Sequence, residues 1–111
     1  MAANRRRGEI AATIDGRERI LCLTLGALAE LESAFAVDDL GALAERFSSG
    51  RLSARDLMRV IGAGLRGGGM DVGDDEVGAM KAEGGAAGFA AIAGELLAAT
   101  FGGGEGTATD P

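Results

Sequence analysis

Apolar and polar positions change rhythm early in this chain, from a repeat of two to a repeat of three and four. Between Gly8 and Thr24 the alternation is that of strands. Ile10, Ala12 and Ile14 share one face, Asp15-Gly16 supplies the pair favoured in a type I′ turn, and Arg17, Arg19, Leu21 and Leu23 return along the same face. With a two-residue turn, Ile10 stands opposite Leu21 and Ile14 opposite Arg17, which leaves Ile20 and Cys22 on the other side. A lone two-stranded ribbon is marginal in water. The hairpin must therefore rest on helices, on another chain, or on both.

Helical spacing begins after Thr24, whose hydroxyl suits an N-cap, with Leu25, Leu28, Leu31 and Phe35 as the apolar stripe. A second short helix starts at Asp38 or Asp39, places Leu40, Leu43 and Phe47 on one side, and stops at Ser48-Ser49-Gly50. The clearest start is Leu52-Ser53-Ala54-Arg55-Asp56-Leu57: Ser53 and Asp56 can form a capping box, and Leu52 can staple to Leu57. Leu57, Val60, Ile61 and Leu65 continue that helix's stripe, with Arg55, Arg59 and Arg66 outside it, until Gly67-Gly68-Gly69. The acids of Gly73-Asp74-Asp75-Glu76 suit another first turn, with Val77 and Met80 as its contacts. After Gly84-Gly85, residues Phe89, Ile92, Ala93, Leu96, Leu97, Thr100 and Phe101 repeat at helical spacing.

The expected fold is α+β and mostly helical, an N-terminal β-hairpin followed by four or five short packed helices. Its parts are a flexible basic N-terminus over 1–7, one domain over 8–101, and a flexible, Gly-rich acidic tail over 102–111. A chain of 111 residues, 20 of them glycine, should bury only roughly 60–65% of its unfolded surface. Much of its apolar content is alanine, so a partner that adds buried surface would matter.

Charge is unevenly placed. The net charge is −6, but residues 1–69 hold ten arginines against nine acids, while residues 70–111 hold one lysine against eight acids. Partners of the second half should be basic or apolar. Arg5, Arg6 and Arg7 could touch nucleic acid, alone or with Arg55, Arg59 and Arg66, but no aromatic or recognition motif accompanies them, so nucleic acid is not the expected partner. No signal peptide and no apolar run long enough for a membrane span is visible, and Cys22 has no disulfide partner, which together fit a cytoplasmic protein.

The absent residues exclude most chemistry. There is no histidine, one cysteine and one lysine, so a cysteine–histidine pair, a serine–histidine triad and a standard zinc hydrolase motif are excluded within the chain, and only carboxylates are left to hold a metal. Asp71, Asp74, Asp75 and Glu76 lack the alternation of a calcium loop. Gly62-Ala63-Gly64-Leu65-Arg66-Gly67 falls near a helix end, where a dinucleotide fingerprint needs the opening of one. No catalytic residue, metal or cofactor is expected, and Cys22 reads as a small hydrophobe.

The run from Ile14 to Glu32, followed by Leu57-Met58-Arg59-Val60-Ile61-Gly62-Ala63-Gly64-Leu65-Arg66, resembles the small tail proteins of gene transfer agents, the phage-like particles of alphaproteobacteria. That family is grouped with siphophage tail assembly chaperones and sometimes labelled a tail tube protein. The resemblance, over about residues 8–101, implies a non-enzymatic role in virion morphogenesis. Its partners would be the tape-measure protein, whose apolar helices it would shield in the cytoplasm during assembly, and the tail tube protein. It also leaves room for a homo-oligomer and for a minor tube or connector component kept in the mature particle. The residues that would meet a partner are Leu25, Leu28, Leu31, Phe35, Leu57, Val60, Ile61, Leu65 and Phe101, with an amphipathic helix in a groove as the mode.

Overall fold

The computed structural model describes residues 3–102, and the tail expected over 102–111 lies outside them apart from Gly102. Strands β1 (Glu9–Ile14) and β2 (Arg17–Cys22) are followed by helices α1 (Leu25–Ala34), α2 (Leu40–Ser48), α3 (Ala54–Gly67), α4 (Asp74–Val77) and α5 (Gly85–Leu97). A 3-10 turn at Arg5–Arg7 precedes the hairpin, and a π-helical turn, Ala98–Gly102, extends α5. The α+β, mostly helical reading therefore holds, with five α-helices among the described residues.

The hairpin forms in the expected register. Ile10 pairs with Leu21 and Ile14 with Arg17, and both turn residues adopt the left-handed backbone of a type I′ turn, at φ 55° for Asp15 and 77° for Gly16. In such a hairpin the pair next to the turn exchanges both backbone bonds, so the amides of Glu9 and Asp15 point outward. They are met there: the Glu9 amide donates to the Asn4 carbonyl (3.1 Å) and the Asp15 amide to the Lys81 carbonyl (2.8 Å). On the opposite edge, the carbonyls of Ile20 and Cys22 lie where a Cβ on Gly68 or Gly67 would sit. The outer edge of β1 is thus met by the chain's own backbone at its two ends, and α3 packs closely along the outer edge of β2.

Side-chain caps set the helix starts. Thr24 accepts from the Ala27 amide (3.1 Å) and Asp39 from the Ala42 amide (2.8 Å). Ser53 and Asp56 complete the capping box, with bonds of 3.1 and 3.0 Å. At α4 only half of a box exists, because Glu76 accepts from the Gly73 amide (2.7 Å) and glycine has no side chain to return the bond. Asp56 also receives the Arg46 guanidinium at 3.1 Å. Burial alone would push its carboxyl up, but the hydrogen bonds from Ser53 and Arg46 outweigh burial and hold it below the usual carboxylate range.

A carboxyl lowered on folding stabilises the protein above its unfolded pKa of about 4, and that contribution fades as pH falls through the folded value. Asp56→Asn should therefore cost about 1 kcal/mol at neutral pH and flatten the loss of stability below about pH 4. Urea midpoints measured across that range check this. An unchanged acid slope in the variant would assign the acid sensitivity to other groups.

Helix α3 is the centre of the molecule, packed against β2, α1, α4 and α5. Val60, Ile61, Ala63 and Leu65 are fully buried, together with Leu21 of β2, Leu43 of α2 and Leu96 of α5. Two devices join these elements. Gly64 brings α3 close to β2 and α5, since a Cβ there would stand 2.6 Å from Leu96 Cδ2 and 3.3 Å from Leu21 Cβ. Arg66 is the second: its guanidinium donates to Glu30 Oε1 of α1 (2.8 Å), Asp74 Oδ1 of α4 (3.0 Å) and the Val72 carbonyl (2.9 Å). Gly62 leaves room for it, because a side chain there would collide with the Asp74 carboxylate. Burial opposes the charge of Arg66, and these carboxylates more than offset it.

Candidate functional site

The residues expected to meet a partner fall into three environments. Leu28, Leu31, Val60 and Leu65 are buried in the core, and Ile61 is buried while forming part of the floor of an open hollow. Leu57 and Phe101 are half-buried and line grooves that face solvent. Phe35 is half-buried, edge-on to Phe47 with ring centroids 5.2 Å apart, and lies under the guanidinium groups of Arg46 and Arg59.

Leu25 departs from its stripe, with 78% of its surface exposed. The reason is geometric. A helix turns by about 100° per residue, so each step of three falls about 60° short of a full turn, and two such steps place Leu25 about 120° from Leu31. Leu40 is 42% exposed although rotation places it about 20° from the buried Phe47; it is the first residue of α2, at the end of the helix.

The substantial apolar surface lies elsewhere, between α3 and α5. One hollow, of about 160 Å³, is lined by Leu57, Met58 and Ile61 of α3, by Val77 and Met80, and by Ala86 and Phe89 of α5. A second, of about 410 Å³, is bounded by Phe47 of α2, by Leu52 and Leu57, and by Ala90, Gly94, Leu97 and Phe101. They share Leu57 and form two parts of one groove.

Most of this lining was not foreseen from the sequence, although a signal exists. Ala86, Ala90, Gly94, Leu97 and Phe101 recur at steps of three and four, beside the core stripe that contains Ala93 and Leu96. A helix apolar on two faces needs cover on both. The small side chains of the second stripe hid it, because alanine and glycine contribute little to an apolar count.

No titratable side chain lines either part of the groove. Among the described residues, no polar or charged residue is buried and no three of the Cys, Asp and Glu side chains gather as metal ligands would. Cys22 is half-buried with its Sγ 3.6 Å from the Arg7 carbonyl. Burial and then Glu9 push its thiol pKa up, against Arg7, so a nucleophilic thiolate is disfavoured. The groove can take up apolar side chains, and its two methionines can adapt to their shape. No described helix is long and apolar enough to cross a membrane.

In a comparison with known families, a family model described as phage tail tube protein, GTA-gp10, matches residues 7–103. No curated protein and no solved structure matches the chain.

Proposed function

The chain belongs to the phage tail tube protein family described as GTA-gp10, and on that footing we propose that it is a non-enzymatic assembly protein that holds an apolar helix of the tape-measure protein in the α3–α5 groove. The observation that carries this reading is an open groove with apolar walls and no titratable group in its lining. Such a surface binds by excluding water, and an amphipathic helix can lay one face of side chains into it. On this reading the protein acts in the cytoplasm, before the tube polymerises around the tape measure.

Gly94 provides a clean test. It is exposed on the groove wall, and a Cβ added there meets nothing within 4 Å. Gly94→Trp should fill the groove and leave stability within about 0.5 kcal/mol of wild type. Co-expressed wild type should raise the soluble yield of the tape-measure protein and co-purify with it, whereas the tryptophan variant should do neither. Equal capture by both proteins would remove the groove from the mechanism.

The family description favours a second reading, a minor structural component of the tail tube or its connector. Mass spectrometry of purified particles separates the two. A fixed number of copies in every mature particle supports the structural role, and absence from particles supports a transient one.

A further inference from the structure

We infer that this protein carries a second interaction surface, apart from the α3–α5 groove, where Arg55 and Arg59 of α3 receive the carboxylates of an acidic polypeptide segment. Helical rotation places Arg55, Arg59 and Arg66 within about 40° of one another, on a single face of α3. The two ends of this row differ. Arg66 is held by Glu30 of α1 at 2.8 Å and by Asp74 of α4 at 3.0 Å. Arg55 is exposed, Arg59 is half-buried, and neither forms an ion pair among the described residues. The same rotation sets Leu57 and Ile61 of the groove about 120–160° from Arg55 and Arg59, with Met58 at the border between the two surfaces.

The open end of the row is prepared for an anion. The Arg59 guanidinium lies over the Phe35 ring at 6.0 Å, and Arg46 lies over the same ring at 5.2 Å. Such stacking restrains the head of a long side chain before a partner arrives, which lowers the ordering cost of binding. Acids on adjoining segments are already engaged. Asp56 accepts from Ser53 and Arg46, Glu30 and Asp74 accept from Arg66, and Glu76 accepts from the Gly73 amide. A partner's carboxylates would therefore do at Arg55 and Arg59 what Glu30 and Asp74 do at Arg66.

The geometry suits a polypeptide. Arg55 and Arg59 are about 6 Å apart along the helix axis, the spacing of acids four residues apart on a helix or two apart on a strand. A nucleic acid would find only charge here, because the Phe35 ring is covered by two guanidinium groups and met edge-on by Phe47, and so is not free to stack on a base.

Fluorescence anisotropy with the full chain tests this. The labelled probes are an alanine-rich helical peptide with glutamates four residues apart, the same peptide with glutamines in their place, and a single-stranded oligonucleotide. At low salt the glutamate peptide should bind about 10-fold or more tighter than either of the others, and its binding should fade toward 1 M salt, where the screening length is about 3 Å. Arg55→Glu/Arg59→Glu should weaken it by about 10-fold or more and should gain binding to a peptide with lysines at the same positions. Arg55→Glu alone, at an exposed position, keeps the test open if the double change disturbs the Phe35 contact, and should weaken binding by about 3-fold. Arg5→Glu/Arg6→Glu makes the same change in net charge at the exposed turn before β1 and should leave binding within about 2-fold of wild type. Gly94→Trp, which fills the groove, should bind the glutamate peptide as wild type does. Equal binding of the glutamate and glutamine peptides overturns the inference. So does a preference for the oligonucleotide, or an equal loss in the Arg5 and Arg6 variant. Circular dichroism confirms that every variant is folded.

Discussion

Replacing Gly67 by alanine is expected to destabilise this protein by about 2–3 kcal/mol, although helix propensity alone predicts a gain of up to about 1 kcal/mol. Gly67 is the last residue of α3, and the space a Cβ would occupy is taken by the Cys22 carbonyl oxygen. The obstacle is backbone, so no rotamer change relieves it. Either α3 must move away from β2 or the strand must bend, and both moves disturb the contacts of Leu21 and Leu65 in a core packed without slack. Gly94→Ala is the matched control: this glycine is also helical, but open space lies around it, so propensity should act alone and stabilise by up to about 1 kcal/mol. Urea unfolding of the two variants should shift the midpoint in opposite directions. A stabilised Gly67→Ala protein would mean that α3 and β2 are not in close contact.

Leu28→Asp should unfold the domain or cost about 3–5 kcal/mol, whereas Leu25→Asp should stay within about 0.5 kcal/mol of wild type. Both leucines belong to the same apparent stripe. Leu28 is 6% exposed, Leu25 is 78% exposed, and a carboxylate is costly only where water cannot solvate it. Thermal or urea denaturation of the pair decides the matter, and equal losses would place Leu25 in the core. The comparison also settles how a partner-binding experiment should be designed. Loss of capture by Leu28→Asp would report lost folding, so Gly94→Trp is the informative substitution.

Local signals were legible wherever a short stretch of chain settles its own conformation. Asp15-Gly16 specified the turn and with it the pairing of Ile10 with Leu21, and Thr24, the Asp38-Asp39 pair and Ser53 marked helix starts, with Asp39 the one of the pair whose oxygen bonds the Ala42 amide. The end of α1 carried no such mark, because Ala36, in place of a glycine, takes the left-handed conformation there at φ 56°. The candidate site was legible only in part. Leu57 and Phe101 are on the groove, but the wall formed by Ala86, Ala90 and Gly94 depends on which face of α5 the core leaves uncovered.

The sequence by itself determined the hairpin register, the capped helix starts, the mostly helical class and the lack of imidazole chemistry, because each follows from residues within a few positions of one another or from composition. Only the tertiary structure decided that Leu25 faces water, that Arg66 reaches Glu30 across 36 positions of sequence, that glycines admit the carbonyls of β2, and that α3 and α5 leave an apolar groove between them. Those outcomes depend on the distance and rotation between elements, which are set when the whole core packs at once.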